Sequence, residues 1–259
     1  MAKITDRIYI ATMCEDWESV ADRYGVGLEM DHFCQAEFMD GDLGSKTLAD
    51  AKAIAGSRAV KVLHAPFNEL FPAAIDHKAR ALAMDRLNRA AQIALDLGVK
   101  KMVVHSGYVP FIYFKEWHVN RSVEFWTEFM ADKPADFEIC IENVLDDGPE
   151  MLVEIAERVD DQRVGLCLDI GHANVVANAG GGRDVGQDEW LRQMAPHLKH
   201  MHIHNNDGAG DYHLGFDQGT LDIERLLNMA MDMCKGFTVT AELIEAGASF
   251  EWLKDKGFI

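Results

Sequence analysis

Basic side chains are scarce in this sequence of 259 residues: 25 Lys and Arg stand against 43 Asp and Glu, a formal charge of −18. Nucleic-acid binders draw most of their affinity from Lys and Arg that neutralise phosphates, so a surface this acidic repels a polyanion. No basic cluster larger than a pair such as Lys100 and Lys101 offsets the deficit, and nucleic acid is not an expected partner. Cysteine is sparse as well. The five residues Cys14, Cys34, Cys140, Cys167 and Cys234 are odd in number and scattered, with no Cys-x-x-Cys pair, which argues against a disulfide framework or a zinc knuckle and for reduced, mostly buried thiols. No apolar run approaches membrane-spanning length, and the opening Met-Ala-Lys-Ile-Thr-Asp-Arg holds no long apolar stretch. The expectation is a cytoplasmic protein with no membrane partner. Linker-like composition is missing too, so one domain over residues 1–259 is expected. Gly180, Gly181 and Gly182 lack the Gly-x-x-x-x-Gly-Lys pattern of a phosphate cradle and read as a flexible loop.

What the chain has is a rhythm. Short apolar runs that read as strands occur at Arg7 to Thr12, Val26 to His32, Arg58 to His64, Lys101 to His105, Phe137 to Val144, Val164 to Asp169, Leu198 to His204 and Phe237 to Ile244. Helical periodicity lies between them at Trp17 to Tyr24, Lys46 to Ala55, Ile75 to Leu97, Trp117 to Met130, Pro149 to Val159, Asp188 to Met194, Asp222 to Cys234 and Phe250 to Lys256. Eight alternations of strand and helix predict an α/β fold, a single (β/α)8 TIM barrel, with a doubly wound open sheet as the competing architecture.

The strands also share a polarity pattern. In Ile139-Cys140-Ile141-Glu142, Leu166-Cys167-Leu168-Asp169, Met201-His202-Ile203-His204 and Val239-Thr240-Ala241-Glu242 one face is apolar. The other is small or polar and ends in a group able to bind a metal. Side chains alternate across a strand, so the apolar face packs on the outer helices and the polar face points into the barrel. His64, His105, Glu142, Asp169, His204 and Glu242 thus end six consecutive strands, at the face where barrel ligands gather. The turn after Asp169 supplies His172, and the loop after the seventh strand supplies Asp211 and His213. Any one of these, alone, is more often a hydrogen-bonded core or capping residue. Together they predict a divalent cation, because so many carboxylates converge comfortably only around positive charge. His32, His77, His118, His197, His200 and His202 read as surface, helix or supporting groups, although the parity of His202 points it inward one layer below His204.

These residues sit in recognisable contexts: His-Ala-Pro-Phe at His64, Val-Val-His at His105, Ile-Glu-Asn at Glu142, Leu-Asp-Ile-Gly-His from Leu168 to His172, His-Ile-His-Asn-Asn-Asp ending at Asp207, Asp-x-His at Asp211 with Gly219 beyond, and Ala-Glu-Leu at Glu242. From the third strand to the eighth the chain resembles the xylose isomerase-like barrel superfamily, which includes sugar isomerases and epimerases, inosose dehydratases and endonuclease IV. The resemblance implies one Mn²⁺, Mg²⁺ or Co²⁺ on Glu142, Asp169, His204 and Glu242, gripping a carbohydrate so that an enediolate is stabilised. It also implies Glu142 and Glu242 as the catalytic acid and base, and His64, His105, His172 and His213 as substrate-binding groups. The endonuclease IV alternative implies three Zn²⁺, with His64, His105, His172, Asp211 and His213 joining the other four ligands to cleave abasic DNA. A non-catalytic barrel that keeps the metal is the third alternative. Ketohexose 3-epimerases of the superfamily place a glutamate six residues after the first metal glutamate and an arginine six after the metal histidine. Here those positions are Gly148 and Gly210, with Asp146 and Asp147 as the nearest acidic replacements. Specificity is expected from the loops Val109 to Trp117 and Ala177 to Gly186, where Phe111, Tyr113, Phe114 and Trp117 either wall the pocket or pack beneath the loop.

Overall fold

Strands buried on both faces and joined by amphipathic helices have one compact solution, a parallel sheet wrapped by those helices. The computed structural model, which describes residues 3–179 and 185–259, adopts it. Its elements run β1 (Ile8–Ala11), α1 (Trp17–Tyr24), β2 (Gly27–Met30), α2 (Gly41–Ser57), β3 (Val60–His64), α3 (His77–Asp96), β4 (Lys101–His105), α4 (Lys115–Met130), β5 (Glu138–Glu142), α5 (Glu150–Val159), β6 (Val164–Asp169), α6 (Ile170–Asn178), α7 (Gln187–Met194), β7 (Leu198–Ile203), α8 (Ile223–Met233), β8 (Thr238–Ala241) and α9 (Gly247–Asp255). All neighbours pair in parallel, and β8 returns to β1 to close the barrel. Gly180 to Gly182 lie outside the described residues. Among those described, no helix is long and apolar enough to cross a membrane.

The helices form where apolar residues recur at turn spacing. In α5, Met151, Leu152, Ile155 and Ala156 make the buried stripe; in α8, Ile223, Leu226, Leu227 and Ala230 do the same, behind an Asp222 cap that accepts from the Arg225 N–H at 3.0 Å. This is the periodic pattern of a helix that covers a sheet on one side only. Between helices and strands lies the main apolar core. Inside the barrel a small layer of Tyr9, Val62, Val103, Cys140 and Cys167 packs separately, and polar side chains lie above and beside it.

Two local features position the site. Leu166 pairs with Leu198, but after a register shift Cys167 pairs with His200 and Asp169 with His202. That places β7 so that His202, and not His204, is level with Asp169. The second feature corrects the expected turn after Asp169. Helix α6 starts at once, because the Asp169 side chain accepts the His172 N–H at 2.7 Å and so caps it, as Asp residues at helix starts do. Gly171 signals a close approach there instead of a turn: a Cβ on it would lie 1.9 Å from the His204 ring.

Candidate metal centre

His202 is the hub. It is fully buried, and its Nε2 lies 3.2 Å from both Glu29 carboxylate oxygens. Its Nδ1 lies 3.1 Å from Glu142 Oε1, 3.3 Å from Glu242 Oε1 and 4.0 Å from Asp169 Oδ2. Glu29 also accepts from His200 Nε2 at 3.1 Å and from the Thr240 hydroxyl at 2.5 Å. A ring that donates from Nε2 to Glu29 presents its Nδ1 lone pair to three carboxylates, an arrangement that needs a proton or a cation between them.

Three surrounding imidazoles take the opposite orientation. His64 Nδ1 lies 2.9 Å from the Ala65 carbonyl, His172 Nδ1 2.9 Å from that of Asn143, and His213 Nδ1 2.8 Å from that of Glu242. With the proton held there, each Nε2 offers a lone pair to a metal, or faces a carboxylate with a second proton. Nε2 of His64 and of His105 each lie 3.4 Å from Glu142 Oε2. Nε2 of His172 and of His213 lie 3.3 and 3.2 Å from Asp211 Oδ2. These separations match the roughly 3.3 Å between donors that share a tetrahedral cation at about 2.0 Å. Glu142 Oε2 and Asp169 Oδ2 are buried and lack a hydrogen-bond partner among the described residues, the condition a bound cation relieves.

Electrostatics divide the carboxylates. Burial acts to raise Glu142, but His202, His105 and His64 outweigh it and hold the group well below the usual range. Burial pushes Glu242 up to about 8, with the Glu142 and Glu29 charges adding to the rise against the pull of His202. Two glutamates that face the same nitrogen therefore prefer opposite protonation states. Burial brings His105 down to about 3, whereas Asp169, Asp211 and Glu142 outweigh burial at His172, and Cys167 with Glu242, Glu29 and Glu142 at His202, and raise both.

A cavity of about 410 Å³ opens over this cluster, lined by Met13, Asp31, Cys34, Phe67 and Val144 together with His64, His105, Glu142, His172, Asp211, His213 and Glu242. A groove of about 500 Å³ at the opposite end of the barrel, beside Val164, His197 and Lys199, holds no comparable cluster. Every residue expected at the site from the sequence lies in or beside the mouth, but the structure moves one of them away from the two glutamates. His204 has no carboxylate of Glu142 or Glu242 within 4.0 Å; it lies 3.3 Å from Asp169 Oδ1 and 3.4 Å from Asp211 Oδ1, stacked on His213 at 4.1 Å. His202 takes the place at Glu142 and Glu242.

Glu29 and Asp31 drew no attention in the sequence, although Glu29 on β2 and Asp31 just after it follow the same alternation that marked the other strands. Asp31 Oδ2 accepts from the Met13 N–H at 3.1 Å, and burial pushes the carboxyl up to about 6. Asp146 turns away from the mouth, held by Ser106 at 2.7 Å, and Asp147 pairs with Lys115 at 2.5 Å, so neither replaces the epimerase glutamate. Six residues after His202 stands Gly208, again no arginine. Of the aromatic loop, Phe111 and Phe114 are exposed and line no part of the cavity, while Trp117 carries the Arg121 guanidinium at 4.9 Å.

Comparison with known proteins agrees with this architecture. The family described as xylose isomerase-like TIM barrel matches residues 24–256. An uncharacterized protein of Methanocaldococcus jannaschii is 30% identical over 175 residues, 64% of this chain and 58% of that protein. The chain spans 58% and 61% of the lengths of the curated relatives it matches. A D-tagatose 3-epimerase-like protein superposes with a TM-score of 0.75 at 23% identity over 96% of each chain. The IOLI protein, whose structure has a zinc atom bound, superposes at 0.73 with 19% identity, again over 96% of each. At these identities the likeness of the structures is a likeness of fold.

Proposed function

The chain belongs to the xylose isomerase-like TIM barrel family, and from that premise we propose a divalent-metal-dependent isomerase or epimerase acting on a sugar, polyol or related carbohydrate. The observation that carries the reading is the approach of Glu142 and Glu242, from β5 and from the end of β8, to the one nitrogen His202 Nδ1 at 3.1 and 3.3 Å. Glu142, Asp169, His202 and Glu242 would hold Mn²⁺, Mg²⁺ or Co²⁺, with His202 taking the role first expected of His204. When bound, such a cation polarises a substrate carbonyl and stabilises the negative charge left when the adjacent carbon loses a proton.

The chain's own groups then manage the proton. Glu142 and Glu242 reach the same nitrogen from β5 and from the end of β8, so one suits proton removal and the other proton return. Delivery to the opposite face gives epimerisation; delivery to the neighbouring carbon gives isomerisation. His64, His105, His172 and His213 line the same cavity and orient substrate oxygens, directly or as holders of a further cation. The test is incorporation of solvent deuterium into a panel of ketoses and polyol-derived ketones by the Mn²⁺-loaded protein. Wild type should exchange a carbon-bound hydrogen and Glu242→Gln should not. Exchange that persists in the variant removes Glu242 from the acid/base role, and absence of exchange across the panel rejects the reading.

A second reading, a trinuclear zinc phosphodiesterase of the endonuclease IV kind, is favoured by the His172–Asp211–His213 group beside the His64–His105–Glu142 group. The charge of −18 opposes a DNA substrate. Failure of the zinc-loaded protein to cut abasic duplex DNA at low salt disposes of it.

A further inference from the structure

Four carboxylates line the cavity, those of Asp31, Glu142, Asp211 and Glu242. Three of them face an imidazole: Glu142 and Glu242 lie 3.1 and 3.3 Å from His202 Nδ1, and Asp211 lies 3.3 Å from His172 Nε2. Asp31 differs. Among the described residues it forms no ion pair, and its hydrogen bonds, from the Met13 N–H at 3.1 Å and the Thr12 hydroxyl at 3.3 Å, both fall on Oδ2. The Asp31 N–H in turn donates to Thr12 Oγ1 at 2.9 Å, so the group is held from one side while Oδ1 keeps its acceptor capacity. A carboxylate fixed through one oxygen and open at the other suits a hydroxyl donor.

Strand order says which part of a substrate that donor belongs to. In the closed barrel β2 stands across from β6, whereas the residues assigned to the cation, Glu142, Asp169, His202 and Glu242, run from β5 to the end of β8. Glu29, on the same face of the chain, already reaches His202 across the interior at 3.2 Å, and Asp31 stands one layer higher, at the mouth. A sugar gripped at the cation by two adjacent oxygens therefore extends its remaining carbons towards β2. Nothing there welcomes a phosphate: no Lys or Arg is among the described residues that line the cavity. Barrels often hold phosphate at a helix N-terminus beside the loops after the seventh and eighth strands. Here Asp16 takes that place at α9, accepting the Ala246 and Gly247 N–H groups at 2.8 Å each.

We propose that Asp31 is a specificity-determining residue: it accepts a hydroxyl at the end of the substrate remote from the cation, and so selects a free sugar or polyol-derived ketone over its terminal phosphate. A phosphate in that position sets its negative charge against a carboxylate with no cation beside it, which rejects the wrong substrate as well as favouring the right one. The inference deepens the isomerase reading and rests on it for the placement of the reacting carbons.

Calorimetric binding to the Mn²⁺-loaded protein tests this, with deuterium exchange measured on the same samples. The probes are fructose, tagatose and xylulose, each paired with its terminal phosphate. Wild type should bind the free member of at least one pair at least about tenfold more tightly than its phosphate. Asp31→Asn sets an NH₂ donor where an acceptor stood, so its affinity for the free sugar should fall at least about tenfold while that for the phosphate does not fall. Asp31→Ser, which also removes the carboxylate, serves if that variant fails to fold. A wild-type preference for the phosphates, or a preference that survives in the folded variant, would overturn the proposal. Preferential binding without deuterium exchange would reject the isomerase and keep the role of Asp31; exchange without preference would do the reverse. Binding of no member of any pair would reject both.

Discussion

Replacing Glu29 by Gln removes one buried negative charge with almost no change in volume, and it probes whether His202 holds a cation. In the native protein the Glu29 carboxylate accepts from His202 at 3.2 Å, His200 at 3.1 Å and Thr240 at 2.5 Å. A Gln side chain has one acceptor oxygen and an NH₂ that only donates, so it cannot serve all three donors. If the NH₂ faces His202, that ring must present a lone pair at Nε2 and carry its proton on Nδ1, the atom that faces Glu142, Glu242 and Asp169. Loss of such an orienting partner typically weakens metal binding by about 10–100-fold, about 1.4–2.7 kcal/mol. One buried donor left without a partner adds a folding cost of about 1–3 kcal/mol. Isothermal titration of Mn²⁺ into metal-free wild type and Glu29→Gln gives the first quantity, and urea unfolding gives the second. Thr240→Val is the control, since it removes a donor to Glu29 and leaves the His202 contact in place. Metal affinity within about twofold of wild type in a folded Glu29→Gln protein, far short of the expected 10–100-fold loss, would show that Glu29 does not set the state of His202.

Two further outcomes follow from packing and burial. Gly171→Ala puts a methyl group 1.9 Å from the His204 ring, so urea unfolding should show a loss of about 1–3 kcal/mol that shrinks in the Gly171→Ala, His204→Ala double variant; wild-type stability of the single variant would contradict the close contact. His118 is buried on α4 with Nδ1 unpartnered, and burial pushes it down to about 4. Because its native pKa is depressed, the unfolded chain binds the proton first: stability is fully present above about pH 6.5 and falls as pH drops towards 4, by up to about 3 kcal/mol. His118→Leu should lose less stability than wild type between pH 7 and pH 4.5, and equal losses would rule the residue out.

The strand ends at His64, His105, Glu142 and Asp169 were legible in the sequence because each closes an alternating run, and alternation alone decides which side chains enter a barrel. β4 and β6 have the bounds that their apolar runs suggest. The aromatic loop was not legible in the same way: nothing in Phe111-Ile112-Tyr113-Phe114 distinguishes a pocket wall from the exposed position that Phe111 and Phe114 adopt. Helix α6 was hidden for a local reason. Asp169 reads equally well as a ligand at the end of a strand or as a helix cap, and in the structure its Oδ1 caps α6 while its Oδ2 is left without a partner.

What the sequence determined by itself is the parity of the barrel wall: His200, His202 and His204 share one face of β7, as Glu142 and Glu242 share theirs, because the period of a strand is two residues. What only the tertiary structure decided is height. A register shift between β6 and β7 sets His202 level with Asp169, so the chain's middle histidine meets the two glutamates, and the last one rises to Asp211 and His213. Parity is a property of one strand, whereas height is a relation between strands, fixed by hydrogen bonding to a neighbour whose position no single segment encodes.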